Sequence, residues 1–392
     1  MKVTESLKRL WRHIRLTGCL LLLTGLAPLA AAQNLACAQD WPEWNQFKQA
    51  FITADGRVID HSGANKPTVS EGQAYAMMFA LVADDQDSFR QLLTWTENNL
   101  AAGDLTVRLP AWQWGQRPDQ SWGVIDNNAA SDADLWIAYV LAMASERWKE
   151  PRFNALSRLL AQRILKEETA DIPGLGLTLL PAPQGFQQAD QSWKLNPSYL
   201  PIPLLRWFAS SSKDERWNQL IASTLKIIRG ASPSGYVADW ILYSPQTQAF
   251  SPDLQGQEHG EGGYNAIRVY LWAGMMPESD PARASVLKQL QPMATLVAQL
   301  GYPPEFVNIQ SGVSHGSGSA GFSSALLPFL KAVKAGDAYQ QQALRISAQN
   351  VAADRYYDQV LNLFSTGWLD KRYQFAANGS LQFKNKAACR AR

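Results

Sequence analysis

Apolar residues at spacings of three and four recur in twelve segments of this 392-residue chain, and this helical periodicity constrains the fold more than any other feature. The segments are 42–52, 70–83, 86–100, 131–148, 151–167, 197–210, 213–229, 263–275, 282–300, 320–334, 337–350 and 355–367. Only short pieces within Gly235–Tyr243 and Tyr373–Phe383 alternate like strands. Successive helices in hairpins bury their apolar faces on one another. The sequence therefore predicts an all-α fold, a closed arrangement of about twelve helices with function left to the loops at one end.

The first 32 residues predict a secretory signal peptide. A basic head precedes the apolar stretch Leu16–Leu29, and the alanines at 30–32 offer a cleavage site. Residues 36–38 offer a second site, so two mature starts are open. No later run approaches the roughly 18 apolar residues of a membrane helix. We therefore expect an exported protein, periplasmic or secreted, in which residues 33–392 form a single domain with no membrane span.

The charge of the chain argues against one class of partner. Removing the leader takes away five basic residues and one acidic residue, which changes the formal net charge from +2 to −2. Nucleic-acid binding depends on a basic surface. We therefore expect no nucleic-acid partner.

Cysteine and histidine give little evidence of special chemistry. Cys19 belongs to the leader, while Cys37 and Cys389 lie at opposite ends of the mature chain. In an oxidising compartment these two could pair, or both could stay free, since their proximity cannot be inferred from sequence. The four histidines show no zinc-ligand spacing. We expect no metal and no other cofactor.

A loop rich in tryptophan follows the third helical segment. The stretch "PAWQWGQRPDQSW" contains Trp112, Trp114 and Trp122, and its prolines and glycines argue against a helix. An indole face can stack on the C–H face of a sugar while its N–H meets a polar partner. Alternatively, the three rings close the end of a large core. Both interpretations are open on the sequence.

Glu71 stands at the beginning of the apolar helix predicted over 70–83. It fits a capping box with Thr68, or a first-turn acid with Ser70 as the cap. Catalysis is the third interpretation. A helix N-terminus lowers the pKa of a carboxyl, whereas a general acid must keep its proton near neutral pH. A catalytic Glu71 would therefore need burial or a nearby negative charge.

Two more acids begin the helix predicted over 131–148. Asp132 and Asp134 follow Ser131 and Asn128, either of which could cap that helix. First-turn acids are what capping alone predicts. Carboxyl groups at the ends of two helices beside a tryptophan loop also fit glycoside hydrolysis, which needs one protonated and one ionised carboxyl.

Four stretches carry a resemblance to a known family. They are "TVSEGQAYAMMFAL", "LPAWQWG…SWGVIDNNAASDADLWIAYVL", "LNPSYLPIPLLRWF" and "GGYNAIRVYLWAGM". From about Trp41 to Phe364 the chain resembles glycoside hydrolase family 8, most closely its exported endoglucanases (cellulases) associated with bacterial cellulose synthesis. The resemblance implies an (α/α)6 barrel and inverting hydrolysis of the β-1,4-glucan chain of cellulose without a metal. It also suggests the cellulose synthase complex as a partner.

The resemblance assigns roles by position. Glu71 matches the proton donor of the family. Asp132 matches its central catalytic aspartate, described either as a nucleophile or as the residue that orients the sugar at the scissile bond. The residues at positions expected to contact sugar are Trp112, Trp114, Tyr199, Asn265 and Arg268.

One position departs from the family pattern. Many members carry an aspartate, the general base, where this chain has Asn265. An amide cannot accept a proton at ordinary pH. The base could therefore be Glu258 or Glu261 in the acidic loop upstream, Asp132 could carry more of the reaction, or the protein could bind glucan with slow or no turnover. Chitosan, xylan or mixed-linkage glucan are alternative polymers.

A glycine motif resembles a dinucleotide-binding site only in its letters. Gly316, Gly318 and Gly321 have the G-x-G-x-x-G spacing, but no βαβ pattern surrounds them. The same stretch lacks the register of a serine nucleophile. We expect a loop that precedes the helix at Phe322.

Overall fold

Twelve helices hold about half of residues 41–383. The computed structural model describes residues 41–383, so the predicted signal peptide, Cys37 and Cys389 lie outside the described residues. In chain order the helices are α1 Pro42–Phe51, α2 Ser70–Ala83, α3 Gln86–Leu100, α4 Ser131–Trp148, α5 Pro151–Glu167, α6 Ile202–Ser211, α7 Arg216–Gly230, α8 Ala266–Met275, α9 Arg283–Leu300, α10 Ala320–Ala332, α11 Gly336–Gln349 and α12 Tyr356–Leu369. Within residues 41–383, none of these helices has the length and apolar character to cross a membrane.

The helices form two concentric layers. Each even-numbered helix contacts the next even-numbered one, and α12 contacts α2, which closes an inner ring of six. Each odd-numbered helix packs outside this ring, α1 against α12 and the others against the inner helix that precedes them. This is an (α/α)6 barrel, and the predicted fold class is confirmed.

The inner and outer helices differ in how much of their surface is apolar. In α4 every residue from Ser131 to Ala144 is buried, and in α2 every residue from Gly72 to Val82. The outer helix α5 instead buries a single stripe at three- and four-residue spacing, from Phe153 to Leu165. A helix apolar on all sides belongs inside, and one with a single stripe lies at the surface. The sequence pattern therefore determines the layer.

Two inner helices approach each other closely at a glycine. A Cβ atom on Gly274 of α8 would lie 2.2 Å from the backbone nitrogen of Phe329 in α10. Any larger residue would collide with that backbone. Gly274 thus sets the distance between these neighbours in the ring.

One predicted helix begins later than expected. The segment 197–210 was predicted as one helix, but Pro197–Tyr199 forms a single 3₁₀ turn capped by the Asn196 side chain, and α6 begins at Ile202. The reason is Pro201, because a proline lacks an N–H and keeps the residue before it out of the helical region. The remaining helix boundaries match the predicted ones within a few residues.

Within residues 41–383, thirteen short strands lie in the loops between helices and after α12. They are β1 Thr68–Val69, β2 Gln113–Gln116, β3 Trp122–Asp126, β4 Thr169–Ile172, β5 Gly176–Leu179, β6 Trp193–Leu195, β7 Ile241–Ser244, β8 Ala249–Pro252, β9 Glu261–Gly262, β10 Phe306–Asn308, β11 Ser314–His315, β12 Tyr373–Phe375 and β13 Leu381–Phe383. They pair in order into the antiparallel groups β1–β3, β4–β5, β6–β8, β9–β11 and β12–β13. The periodicity predicted strands only around β7 and at β12–β13. β1 and β9 directly precede α2 and α8, so these two sheets fix the entrances to two inner helices.

Candidate active site

A cleft opens at the N-terminal ends of inner helices. It has a volume of about 310 Å³ and is lined mainly by residues from the first turns of α2, α8 and α12. The lining residues are Asp60, Val69, Glu71, Tyr75, Tyr264, Asn265, Arg268, Tyr356, Tyr357 and Val360. Three residues singled out from the sequence, Glu71, Asn265 and Arg268, therefore face one space.

Neither predicted cap of α2 forms, although Glu71 does lie in the first turn, as expected. The cap residue of α2 is Val69, which makes no side-chain cap, and Ser70 is already inside the helix. The Thr68 hydroxyl donates to the carbonyl of Val58 and does not reach α2. The Glu71 carboxyl therefore forms no capping box with Thr68, and it lines the cleft.

The Glu71 carboxyl is a neutral acid at physiological pH. Burial raises its pKa to about 8, with a further contribution from the negative charge of Asp132. Its own backbone N–H, Arg268 and a hydrogen bond from the Trp112 indole oppose this rise but are weaker. Burial thus outweighs the helix terminus, which is the condition for a general acid in this position.

Asp132 lies beneath two residues of the cleft wall. Its Oδ2 accepts hydrogen bonds from the Tyr75 hydroxyl at 3.3 Å and from Nη1 of Arg268 at 3.0 Å, and the same Nη1 donates to the Tyr75 hydroxyl at 2.8 Å. Its Oδ1 accepts the N–H of Ala133 at 2.9 Å. Asp132 is only 1% exposed, and this burial raises its pKa against the opposing charge of Arg268. It therefore contacts the cleft through Tyr75 and Arg268.

Asp134 has a different environment from Asp132. Its fully buried carboxyl interacts with that of Glu168, and burial raises the pKa of both groups well above their ordinary values. The predicted caps of this helix are wrong, because α4 is preceded by Ala130 without a side-chain cap. Asn128 instead donates to the carbonyl of Gln184.

Arg268 connects the candidate residues of α8 to the rest of the site. Its Nη2 donates to the side-chain oxygen of Asn265 at 2.7 Å, as three-residue spacing on a helix allows. The guanidinium also lies 5.6 Å from the centre of the Tyr199 ring. The amide oxygen of Asn265 is thus occupied, and its NH₂ group is the part available to a ligand.

The tryptophan loop forms the β2–β3 hairpin, and its rings separate into two settings. Trp112 donates to Glu71 and packs beside the core. Trp114 packs 5.4 Å from both Trp95 and the half-exposed Trp122, with the Arg57 guanidinium 4.4 Å from its ring centre. Trp112 is therefore at the acid, whereas Trp114 belongs to an aromatic stack outside the cleft lining.

The two loop acids lie away from the cleft lining. Glu261 is in β9 and bonds to Nε2 of His315 at 2.9 Å. Glu258 is half-buried in the loop before it. Gly316 and Gly318 lie in the expected loop, which ends at Ser319. The Ser319 hydroxyl caps α10 at the N–H of Phe322, and Gly321 is already the second residue of α10.

Sequence reasoning missed the tyrosines of the site. Tyr75 is one helical turn after Glu71, so the four-residue spacing could have placed it on the same face. Tyr356 and Tyr357 come from α12, at the other end of the chain, and no local pattern connects them to α2. Together with Glu71 and Arg268 they make a cleft suited to acid chemistry on a neutral, hydroxyl-rich substrate.

A helical barrel with such a cleft defines a class of glycan-degrading enzymes, and sequence comparison agrees. The family model of glycosyl hydrolases family 8 matches residues 19–371, and this chain belongs to that family.

Individual relatives match over nearly their whole length. An endoglucanase of Escherichia coli O157:H7 is 43% identical over 353 residues, which cover 90% of this chain and 94% of the relative. An endoglucanase of Xanthomonas axonopodis pv. citri is 39% identical, covering 94% and 96%. The crystal structure of an endo-1,4-D-glucanase from Vibrio fischeri ES114 superposes with a TM-score of 0.80 at 40% identity, covering 88% of this chain and 99% of that one.

Proposed function

We propose that this protein is an exported endo-β-1,4-glucanase that cleaves internal bonds of cellulose with inversion, and that Glu71 is its general acid. The observation that carries the proposal is that the Glu71 carboxyl lines the cleft while burial raises its pKa to about 8, which favours the protonated form at neutral pH. The relatives named above, all of them endoglucanases by name, support the reaction and the polymer.

The proposed reaction uses the site as follows. Glu71 gives its proton to the oxygen that bridges two glucose units as the bond from that oxygen to C1 breaks. Water attacks C1 from the opposite face of the ring. Asp132 holds the Tyr75 hydroxyl and Arg268 against the sugar, and its charge helps to keep Glu71 protonated. Asp132 acts here as the orienting residue rather than as a nucleophile, because it is buried beneath them.

The names of the relatives favour cellulose over chitosan, which would need an acidic groove. The charges at the cleft do not distinguish the two polymers, because the positive Arg268 stands among the carboxyls of Asp60 and Asp132. Export through the leader and action beside a cellulose synthase complex are parts of the same proposal, supported by the resemblance of the sequence blocks.

Release of reducing ends from carboxymethylcellulose tests the acid. Wild type should release them, and Glu71→Gln should be at least ~10²-fold slower, because Gln has no proton to donate. The matched control is Glu278→Gln on the surface between α8 and α9, which should equal wild type. Equal rates for wild type and Glu71→Gln would exclude the assignment of Glu71. Binding of cello-oligosaccharides by a wild type without turnover would identify a glucan-binding protein instead.

A further inference from the structure

Inverting hydrolysis needs a second carboxyl group, which removes a proton from the attacking water. Asn265 stands at the cleft wall, but its amide cannot take that proton. The identity of this base is a separate question that rests on the proposed glucanase function. The structure contains a carboxylate directly behind Asn265.

That carboxylate belongs to Asp239, which precedes β7. Its Oδ1 accepts three backbone N–H groups at the start of α8, from Gly263 at 2.8 Å, Asn265 at 3.0 Å and Ala266 at 2.7 Å. The N–H of Asn265 thus points at the same oxygen as its neighbours do. Asp239 is only 2% exposed, so it is fixed in place rather than mobile.

The two carboxylate oxygens of Asp239 differ in their hydrogen bonding. Oδ1 is saturated by the three donors, whereas Oδ2 has no hydrogen-bond partner within residues 41–383. Burial raises the pKa of this carboxyl to about 6, against the three N–H groups and the positive charge of Arg268. At neutral pH the group is therefore ionised, with one oxygen able to accept a proton.

The other acids near the cleft fit this task less well. Asp60 lines the cleft, but it belongs to the loop that leads into α2 and Glu71, and its Oδ1 accepts the N–H of Ser62. An acid and a base in inversion lie on opposite faces of the sugar ring. Glu258 is half-buried in the loop before β9, and its carboxyl, unlike that of Asp239, makes no hydrogen bond to the start of α8 within residues 41–383. Glu261 is paired with a histidine.

We propose that Asp239 is the general base, acting on a water that the NH₂ group of Asn265 holds at the cleft wall. The water oxygen bonds to C1 while the bond from C1 to the bridging oxygen breaks. One proton passes from the water to Oδ2 of Asp239, and one passes from Glu71 to the leaving oxygen. The two carboxyls then exchange their protons with solvent.

The substitution Asp239→Asn should remove the proposed proton transfer and keep the hydrogen bonds of residue 239 to the start of α8. The side chain of Asn keeps an oxygen for the three N–H donors of α8 and replaces only the free oxygen by NH₂. We expect kcat on cellopentaose to fall by about 10²–10⁴-fold. The dissociation constant for cellopentaose and the melting temperature should stay close to those of wild type. The double variant Asp239→Asn/Asn265→Asp returns a carboxylate to the wall and should recover at least tenfold in kcat.

Azide provides a readout that a purely structural role would not change. It attacks C1 without losing a proton, so it needs no base: the C1–N bond forms, the C1–O bond breaks, and Glu71 still protonates the leaving oxygen. Sodium azide should therefore restore turnover of Asp239→Asn and give the α-cello-oligosyl azide. Glu278→Gln with azide should give only the hydrolysis product.

Each outcome bears on the inference. Wild-type rates for Asp239→Asn, or a loss that azide does not restore, would overturn it. A loss in Glu258→Gln that azide restores would assign the base to the loop instead. If wild type itself released no sugar, the proposed function would fall together with the base, whereas an active wild type beside an unaffected Asp239→Asn would remove the base alone.

Discussion

At the scale of single residues, Glu71 shows how two effects of opposite sign are decided. Its position in the first turn of α2 lowers the pKa of the carboxyl, and burial near Asp132 raises it. The helix terminus is worth at most about 2 kcal/mol, whereas burial of a carboxyl moves its pKa by several units. Burial therefore dominates, and the proton stays on Glu71.

The activity should accordingly fall at alkaline pH. Glu71 can donate only while protonated, and its pKa is about 8, so kcat/KM should decline as pH rises through about 8. Hydrolysis of a soluble cello-oligosaccharide from pH 5 to 10 measures this limb, with circular dichroism at each pH to show that the protein remains folded. A decline centred below pH 6 would mean that Glu71 is ionised in the free enzyme and is not the acid.

Arg268 explains which parts of the site the sequence could reveal. It is three residues after Asn265 on one helix, so a shared face was predictable, and the two side chains do bond. Its bonds to Asp132 and Tyr75 join helices that lie far apart in the chain. No spacing encodes those contacts, and only the resemblance to a family brought Asp132 and Asn265 into one hypothesis.

At the scale of elements, the helices were predictable and most of the strands were not. The helices of the barrel are ten to eighteen residues long, so their apolar pattern is sampled over several turns. The strands have two to five residues, too few for an alternation to stand out from chance. The strands β1 and β9 are held instead by pairing with distant segments, as β1 is with β2.

The approach of α8 to α10 gives an element-scale prediction. Gly274→Ala places a Cβ atom 2.2 Å from the backbone nitrogen of Phe329, which a side-chain rotation cannot relieve. We expect the substitution to lower the free energy of unfolding by about 1–3 kcal/mol, the usual cost of overpacking a core. Urea unfolding followed by circular dichroism measures it.

Gly336→Ala is the matched control for this change. Gly336 is the first residue of α11, and a Cβ atom there would have no atom within 4 Å. Alanine favours the helix more than glycine does, so this variant should be as stable as wild type or more stable. If both variants unfolded at the same urea concentration, the close packing of the ring at Gly274 would not be a determinant of stability.

At the scale of the whole molecule, the barrel brings together residues that are distant in sequence, because its inner helices all run in the same direction. After each inner helix the chain returns along an odd-numbered outer helix, so the six inner helices all begin at the same end of the ring. Glu71, Asp132 and Asn265 each stand at the N-terminal end of an inner helix. Residues from separate parts of the chain therefore meet at one end of the barrel, where together they form the site.

The Glu71 carboxyl at this end of the barrel should make the folded protein less stable at alkaline pH. The folded pKa of Glu71, about 8, is raised above its ordinary value of 4.5. The unfolded chain therefore loses this proton first as pH rises, and the stability of the folded state falls between about pH 4.5 and pH 8. Glu71→Gln is neutral in both states and avoids this loss, at the expense of the acid.

We therefore expect the melting temperature of Glu71→Gln to exceed that of wild type by at least ~2 °C at pH 8.5, and by less at pH 5. Thermal unfolding at both pH values, with the surface variant Glu278→Gln as control, measures the difference. The control should follow wild type at each pH, since Glu278 is exposed. A gap between Glu71→Gln and wild type that is equal at the two pH values would show that Glu71 does not titrate differently in the folded protein. Protonation of Glu71, on which the proposed reaction depends, would then make no contribution to the pH dependence of folding stability.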